Sequence, residues 1–370
     1  MKKHILNFGL ILLITFLIGE LAARFFLAFV ANDTQFTKYA SYKQLQSKHT
    51  RQRLTPSRYL SYTTTPNYSY ILNKHNSLGF RGEEIEFPKP KNVYRIVCLG
   101  GSTTYSEGVN DYHESYPYLL EKNLKASGWD SVQVINAGVP GYSSLETLIN
   151  FQVRVRDLAP DMTIIYQNVN DLHSRLVWPP EFYKADRSGI YQSPKLFNSI
   201  PLWEHSAIIR LTLIRLGLTD SHGSINQIIK LADTYILNQN DLNKSGVDNL
   251  NLKEVLQTNK PIFFEKNIQS LTTLAHSLGI KVVLSTFIYS DEFPEANILF
   301  SDQAIKDAIE EQNEVLRDIS ARSGALLYDL AKDIPVDKKL FTDGIHFGHE
   351  GNEIRSKKIA EFLIQNHKSP

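Results

Sequence analysis

The sequence has few of the features that would assign a function class at once. It contains a single cysteine, Cys98, so no disulfide can form within the chain, and the cysteine content leaves the cellular compartment open. Its 40 Lys and Arg residues are balanced by 39 Asp and Glu residues, which gives a formal net charge of +1. Nucleic-acid-binding proteins normally carry a strong basic excess, so we expect no nucleic acid partner. No internal repeat is visible in the 370 residues, which are enough for one large domain or two.

A long hydrophobic run is present at the amino terminus. Residues 5–19 are almost wholly apolar, and residues 21–30 extend the run beyond Glu20. A bilayer-spanning helix needs roughly 20 residues, so the whole segment is long enough. Glu20 and Arg24 are four residues apart and can pair on one helix face. A cleaved signal peptide is the alternative, but no clean small-x-small cleavage site follows the run, and we favour an uncleaved transmembrane anchor over residues 1–31.

The rest of the chain has a recognisable organisation. Residues 32–91 form a polar, Tyr- and Thr-rich connection with four prolines, which we interpret as a stalk. From residue 92 onward, short apolar runs alternate with segments of helical periodicity, which predicts a parallel, layered α/β sheet with right-handed crossovers. The predicted strands cover residues 96–99, 132–135, 162–166, 281–288 and 325–330. A segment of about ninety residues, 173–262, interrupts this alternation and is predicted to be an inserted helical cap near the site.

The first predicted strand ends in an unusual way. Ile96 to Leu99 are continuously apolar, and Gly100 and Gly101 then end the strand in front of Ser102. A glycine turn at this point leaves the serine at the carboxyl edge of the sheet, where open α/β folds bind ligands. The stretch lacks the lysine of a phosphate-binding Walker loop and the last glycine of a G-x-S-x-G elbow. By itself it is equally compatible with an ordinary loop.

Other polar residues follow the next strands. Gly138 comes after the second strand, Asn170 after the third, and Asp343 and His346 lie near the carboxyl terminus. Because parallel strands end at one edge of a sheet, Gly138 and Asn170 are expected to lie near Ser102, and the carboxyl-terminal region supplies the remaining groups. Acyl transfer needs a nucleophilic oxygen, a base, a carboxylate that orients the base, and donors for an oxyanion. Two alternatives remain at this point: Asn170 caps a helix, or the carboxyl-terminal carboxylate and imidazoles bind a metal.

Four short motifs resemble the sequence blocks of the SGNH hydrolases, also called the GDSL esterase and lipase superfamily. The motifs are Gly100-Gly101-Ser102, Asn136-Ala137-Gly138, Asn168-Val169-Asn170-Asp171 and Asp343-Gly344-Ile345-His346, in the family's order. The resemblance implies a flavodoxin-like three-layer α/β/α sandwich with a five-stranded parallel sheet, here with the inserted helical cap and the amino-terminal transmembrane helix. The apolar start, together with the segment around Arg81, is similar to that of membrane-anchored bacterial members.

The resemblance also implies roles for the matching residues. Ser102 would be the nucleophile, His346 the general base and Asp343 the residue that orients the imidazole. The backbone N–H groups of Ser102 and Gly138 and the side-chain amide of Asn170 would form the oxyanion hole. No cofactor and no metal are implied.

Two further residues are candidates for substrate binding. Asn168 replaces the glycine that is usual in the third block, so it either narrows the pocket or contacts the substrate. Arg81 lies between Phe80 and Gly82. It belongs either to a tight turn in which Phe80 plugs an edge of the sheet or to the substrate-binding surface.

Together these observations predict a membrane-anchored serine hydrolase that acts on carboxylic esters. A basic start before an apolar run is typical of exported proteins, so we expect a single-pass inner-membrane protein with its catalytic domain, residues 92–370, on the periplasmic or extracellular side. The expected partners are the membrane and an acylated small molecule or glycan, with acetylated cell-envelope glycans preferred. An O-acyltransferase with the same triad and a catalytically silent envelope-binding protein are the alternatives.

Overall fold

The structure is a computed structural model that describes residues 2–45, 53–55, 57–190, 202–219, 232, 234–236, 251–293 and 302–367. The chain divides into two compact units. The smaller unit combines Met1–Ser57 with Ser193–Lys230, and the larger unit combines Arg58–Gln192 with Leu231–Pro370. We describe the two units separately.

A five-stranded parallel sheet forms the centre of the larger unit. Its strands are β1 (Tyr94–Gly100), β2 (Val132–Asn136), β3 (Met162–Tyr166), β4 (Lys281–Ser285) and β5 (Leu326–Tyr328). Their order across the sheet is β2-β1-β3-β4-β5, with every neighbouring pair parallel. This is the flavodoxin-like order, in which the topological switch point lies between β1 and β3, and ligands bind at the carboxyl ends of these strands.

The sheet is buried on both faces, as the apolar run in β1 predicts. Ile96 and Cys98 contribute to a hydrophobic cluster on one face, and Val97 and Leu99 contribute to a cluster on the other. All four side chains are fully buried. Each face is therefore covered by helices, which makes the unit the three-layer α/β/α sandwich expected from the sequence.

Helices occur in both units and are numbered here in chain order. In the smaller unit they are α1 (Lys2–Phe25), α2 (Asp33–Tyr39), α3 (Tyr42–Leu45) and α8 (Ala207–Arg215). In the larger unit they are α4 (Ser102–Tyr105), α5 (Tyr116–Ala126), α6 (Ser144–Asn150), α7 (Val169–Arg175), α9 (Leu252–Thr258), α10 (Ile262–Ser277), α11 (Gln303–Ser323), α12 (Leu330–Asp333) and α13 (His349–Asn366). Side chains of α5 and α13 belong to the cluster on the Cys98 face, and side chains of α10 belong to the cluster on the Leu99 face.

Residues 58–91, which the sequence places in a stalk, belong to the larger unit. Two-residue strands Ser69–Tyr70 and Asn73–Lys74 pair antiparallel within this segment. Phe80 is buried in the cluster on the Leu99 face of the sheet. The interpretation of this segment as a tight turn with Phe80 packed on the sheet is therefore confirmed.

The smaller unit contains the apolar amino-terminal helix. A segment from Lys3 to Val30 is long and apolar enough to cross a membrane, by length and composition. Helix α1 continues into a π-helical turn at Phe26–Val30. Glu20 and Arg24 form the ion pair that their spacing predicts, with 2.7 Å between Arg24 Nη2 and Glu20 Oε1.

The predicted cap, residues 173–262, is only partly described by the structure. Its amphipathic segment forms α8, which packs on α1 in the smaller unit. Its later part includes α9, which contributes Leu252, Val255 and Leu256 to the core of the larger unit. Residues 191–201, 220–231, 233 and 237–250 of this segment lie outside the described residues.

Candidate active site

Ser102 lies at the switch point of the sheet. Strand β1 ends at Gly100, whose φ of +155° is a backbone conformation that other residues rarely adopt. Helix α4 begins at Ser102, so the N–H of this serine is one of the N-terminal donors that cannot be used within the helix. A Cβ at Gly101 would lie 2.5 Å from Asn170 Nδ2. The glycine before Ser102 therefore allows the Asn170 amide to lie directly against the turn.

A hydrogen-bonded chain connects Ser102, His346 and Asp343. The distance between His346 Nε2 and Ser102 Oγ is 2.8 Å, and the distance between His346 Nδ1 and Asp343 Oδ2 is 2.6 Å. Because Nδ1 donates its hydrogen to the carboxylate, Nε2 is the acceptor for the Ser102 hydroxyl. The imidazole is thus held in the tautomer that can remove a proton from Ser102.

The loop that carries Asp343 and His346 is fixed by its own backbone. The N–H groups of Ile345 and His346 donate to Asp343 Oδ1 at 3.2 and 3.0 Å. The N–H of Thr342 donates to the His346 carbonyl at 2.8 Å, which closes the loop. Gly344 at its tip has a φ of +94°. This short turn aligns the carboxylate with the imidazole before any substrate is present.

Asp343 is held in its ionised form. Burial raises the pKa of this carboxyl group, but the interaction with the His346 ring and the hydrogen bonds from the backbone N–H groups of His346 and Ile345 lower it further than burial raises it. The net result is a pKa below the ordinary value. Asp343 therefore supplies a negative charge next to Nδ1, where a protonated imidazole would need it.

Gly138 and Asn170 lie beside the Ser102 turn. The backbone of Gly138 approaches Thr104 and Tyr105 of α4 so closely that no Cβ would fit there. Its N–H donates to Asn136 Oδ1 at 3.1 Å, and Asn170 Nδ2 donates to the Tyr142 carbonyl at 2.8 Å. The ends of β2 and β3 thus bring both predicted donors to the same edge as Ser102.

Asn168 does not face the substrate side of this edge. Its side chain is buried, and its amide donates to the Ile309 carbonyl and Asn313 Oδ1 at 3.1 and 3.2 Å. Its Oδ1 accepts a hydrogen bond from Gln312 Nε2 at 2.8 Å. The expectation that Asn168 contacts substrate is therefore wrong: its side chain is used to attach the end of β3 to α11.

Arg81 is also buried rather than exposed to substrate. Its guanidinium donates to the carbonyls of Tyr105, Ser106, Val109 and Asn110 at 2.5 to 3.1 Å. The substrate-facing alternative is contradicted, because these donors point at the backbone that follows α4. Arg81 instead fixes the segment behind Ser102.

Asp171, which was identified from the sequence only as the last residue of the third motif, lies in a buried network next to Asn170. Asp171 accepts hydrogen bonds from the backbone N–H of Ser144 at 3.0 Å and from Gln167 Nε2 at 3.0 Å. Gln167 Nε2 also donates to the Tyr142 carbonyl at 2.7 Å, which is the acceptor of the Asn170 amide. Burial raises the pKa of Asp171 to about 6, although the hydrogen bonds from Ser144 and Gln167 lower it.

His173 was likewise missed. It lies one helical turn after Asn170 on α7, and its Nδ1 is 2.6 Å from the hydroxyl of Tyr235. Burial, followed by the positive charge of Arg187, lowers the pKa of His173 to about 4, so the ring is neutral at pH 7. The i, i+3 spacing from Asn170 is the signal that could have identified it.

A sequence model of the GDSL-like lipase/acylhydrolase family matches residues 98–354. This range contains every residue of the hydrogen-bonded chain. The chain belongs to the GDSL-like lipase/acylhydrolase family. The protein is therefore an SGNH-type ester hydrolase, as the four motifs predicted, and its substrate carries an acyl group.

Several solved structures are similar to this GDSL hydrolase. A lipase/acylhydrolase from Enterococcus faecalis is 18% identical, covers 75% of this chain and 99% of its own, and has a TM-score of 0.44. The acetyl xylan esterase AlAXEase is 18% identical, with 73% and 99% coverage and a TM-score of 0.42. A GDSL-like lipase from Bacteroides thetaiotaomicron is 16% identical, with 76% and 93% coverage and a TM-score of 0.41. No curated protein sequence matches the chain.

The alternative of a metal site at the carboxyl-terminal motif depends on His349. In the GDSL hydrolase, the ring of His349 lies 3.3 Å from Glu353 and 3.6 Å from Glu114. Within the ranges that the structure describes, no group of three or more His, Cys, Asp or Glu side chains has the geometry to hold a metal ion. His346 is hydrogen-bonded to Ser102 and Asp343 instead.

Proposed function

We propose that the protein is a membrane-anchored, extracytoplasmic serine esterase that works through a Ser102–His346–Asp343 triad and an acyl-enzyme. The observation that carries the proposal is the continuous hydrogen-bonded chain from the Ser102 hydroxyl through the imidazole to the ionised carboxylate. A serine hydroxyl is a weak nucleophile by itself, and an adjacent base oriented by a carboxylate is the arrangement that activates it.

In the first half of the reaction, Ser102 Oγ attacks the carbonyl carbon of the ester while His346 Nε2 accepts the hydroxyl proton. The resulting oxyanion receives hydrogen bonds from the Ser102 backbone N–H, from the Gly138 N–H once this group turns from Asn136 Oδ1 to the oxyanion, and from the Asn170 amide. This amide has two hydrogens, one of which bonds the Tyr142 carbonyl. When the bond to the leaving alcohol breaks, the imidazolium returns its proton to the alcohol oxygen.

In the second half, water attacks the acyl-enzyme and His346 accepts one of its protons. The bond between the acyl carbon and Ser102 Oγ breaks, and the proton moves from the imidazolium to the serine oxygen. The products are a carboxylic acid and the free enzyme. Asp343 stays ionised throughout and stabilises the imidazolium that forms twice in each cycle.

The location of the reaction is part of the proposal. The apolar segment from Lys3 to Val30 would anchor the protein in the inner membrane, with the hydrolase domain on the periplasmic or extracellular side. Acetylated envelope glycans are the substrate class that such a location exposes to the enzyme. Alkaline phosphatase fused after Pro370 should be active in intact bacteria, whereas an inactive fusion would reverse the orientation.

The test of the nucleophile uses the full-length chain in detergent with a fluorophosphonate probe and a short-chain aryl acetate. We expect the probe to label the wild type. In Ser102→Ala we expect no labelling and a hydrolysis rate that is lower by at least about 10³-fold. Ser127→Ala, a change at an exposed serine, is the matched control and should behave as the wild type. Labelling that persists in Ser102→Ala, or that is absent from the wild type, would refute the proposal.

A further inference from the structure

Glu20 is an acidic residue in the middle of an apolar run. Ionisable residues are costly within membrane-spanning segments, and where they occur they usually have a partner and a function. In the smaller unit, the Glu20 carboxylate accepts hydrogen bonds from the backbone N–H groups of Ala207 and Ile208, both at 3.0 Å. It also accepts one from the Ser206 hydroxyl at 2.8 Å. These donors are the first residues of α8 and the residue before it.

The carboxylate therefore acts as a cap for α8 that comes from a distant part of the chain. The first N–H groups of any helix lack partners within the helix, and the helix dipole favours a negative charge next to them. Arg24 completes the arrangement, because its Nε donates to Glu20 at 2.7 Å and its Nη2 donates to the His205 carbonyl at 2.9 Å. One turn of α1 thus binds both the N–H groups and a carbonyl at the start of α8.

The residues of α1 on either side of Glu20 also pack against α8. A Cβ at Gly19 would lie 2.5 Å from the Cδ1 atom of Ile208, so the glycine allows the two helices to approach closely. Ala23, Leu27 and Ala31 form a buried cluster with Ala207. These positions of α1 and its π-helical extension recur every four residues, which places them on one face. That face is complementary to α8 in shape as well as in charge.

The exposure of α1 changes at the same point. The large apolar residues from Ile5 to Ile18 are 41–74% exposed, whereas Ala23 and Leu27 are 8% and 2% exposed. The apolar residues 5–19 before Glu20 would span about 22 Å at 1.5 Å per residue, which is short of the roughly 30 Å hydrocarbon thickness of a bilayer. After Glu20 only one face of the helix is buried, the face of Ala23 and Leu27, whereas Leu21 and Phe25 on its other faces are 68% and 59% exposed.

We propose that the amino-terminal helix is retained in the mature protein as the docking partner of α8, with Glu20 capping that helix. Cleavage after Ala23 or Ala31, where Leu21 or Phe29 stands at the position that should be small, would remove the acceptor for two N–H groups and expose Ala207. The segment that exports the chain is by this proposal also a structural element of the mature protein. The proposal does not depend on the catalytic role of Ser102.

The first test is the mass of the mature protein. The full-length chain, isolated from the membrane fraction of a bacterial host, should have the intact mass of a chain that still includes residues 2–31. A chain that begins at residue 24 or 32 would overturn the proposal.

The second test is disulfide cross-linking of Gly19→Cys with Ile208→Cys. Cys98 is buried, so the native thiol does not compete. The control pair is Leu21→Cys with Ile208→Cys, because Leu21 is 68% exposed and lies on another face of α1. We expect oxidation to link residues 19 and 208 at least tenfold faster than residues 21 and 208. Equal rates for the two pairs, or no link for either, would overturn the docking.

The third test changes Glu20 itself in the Gly19→Cys, Ile208→Cys background. Glu20→Ala should lower the cross-linking rate several-fold, and Glu20→Gln, which keeps one acceptor oxygen, should lower it less. Leu21→Ala in the same background is the matched control and should leave the rate unchanged. Fluorophosphonate labelling reports separately on the hydrolase domain, so a misfolded variant is recognised. An unchanged rate in a labelled Glu20→Ala variant would refute the capping role.

Discussion

The side-chain amide of Asn170 lies against the glycine that precedes Ser102. If this amide stabilises an oxyanion, its removal should slow the chemical step. We expect Asn170→Ala to lower kcat for an aryl acetate by about 100- to 1,000-fold with a small change in KM. Asn110→Ala, at an exposed asparagine, is the control. A loss below tenfold would show that Asn170 does not donate to the transition state.

Asp343 determines which imidazole nitrogen carries the proton. In Asp343→Asn, an amide N–H can point at Nδ1 and favour the tautomer in which Nε2 is protonated. That tautomer cannot accept the Ser102 proton, so we expect a decrease in kcat/KM of about 10³- to 10⁴-fold. The measurement is steady-state hydrolysis of an aryl acetate. Activity close to the wild type would mean that another group orients His346.

At the scale of elements, Arg81 connects the segment of residues 58–91 to the turn that follows α4. In Arg81→Ala the backbone carbonyls of Tyr105, Ser106, Val109 and Asn110 lose their guanidinium donors. We expect the free energy of unfolding to fall by about 2–4 kcal/mol, measured by urea denaturation. Arg156→Ala, at an arginine whose side chain is 51% exposed, should cost less than about 0.5 kcal/mol. Similar losses for the two variants would contradict the structural role of Arg81.

The network of Asp171 makes the attachment of α7 to α6 dependent on pH. Burial raises the pKa of Asp171 from 3.8 to about 6, so the folded protein binds this proton more tightly than the unfolded chain. Binding of this proton stabilises the folded state. The stabilisation is fully present below about pH 4 and is lost as the pH rises through about 6. The difference between the two pKa values of Asp171 corresponds to at most about 3 kcal/mol in the free energy of unfolding.

Asp171→Asn removes this titration and isolates its effect. The free energy of unfolding of the wild type, minus that of Asp171→Asn, should therefore decrease as the pH is raised from 4 to 7. Urea denaturation of both proteins over this range measures the difference, in which other titrating groups cancel. A difference that stays constant or increases with pH would contradict the raised pKa.

At the scale of the whole molecule, the larger unit has its own hydrophobic clusters on both faces of the sheet. We therefore expect a protein that lacks residues 1–31 to keep fluorophosphonate labelling of Ser102 within about twofold of the full-length rate. Loss of labelling upon truncation would mean that the hydrolase unit requires the amino-terminal helix.

Local sequence patterns were sufficient for most of the fold. The continuous apolar run of β1, the capping box of Ser143 and Glu146 at α6 and the glycine after α11 each depend on a few neighbouring residues. The alternation of strands and helices then limits the sheet to a parallel one. For the same reason the pairing of Asp343 with His346, three residues apart, was predictable.

The roles of Asn168 and Arg81 could not be obtained in this way. Asn168 was a candidate because it stands where the family pattern usually has glycine, and Arg81 because it is a charged residue in a segment rich in turn residues. Their hydrogen-bond partners are on α11 and at the end of α4 and beyond, which are distant in sequence. Only the packed structure shows that these partners accept the hydrogen bonds of both side chains. A polar side chain points into the protein when it pairs with a buried backbone carbonyl or amide that would otherwise lack a hydrogen-bond partner.

The sequence by itself determined the order of the elements, the parallel sheet and the set of polar residues at strand ends, because each of these follows from neighbours along the chain. The tertiary structure decided which of those residues meet. Ser102 and His346 are 244 positions apart and lie within hydrogen-bond distance only because the sheet and α13 pack together. The association of α1 with α8 has the same origin, since it depends on helix packing and on the half-buried carboxylate of Glu20.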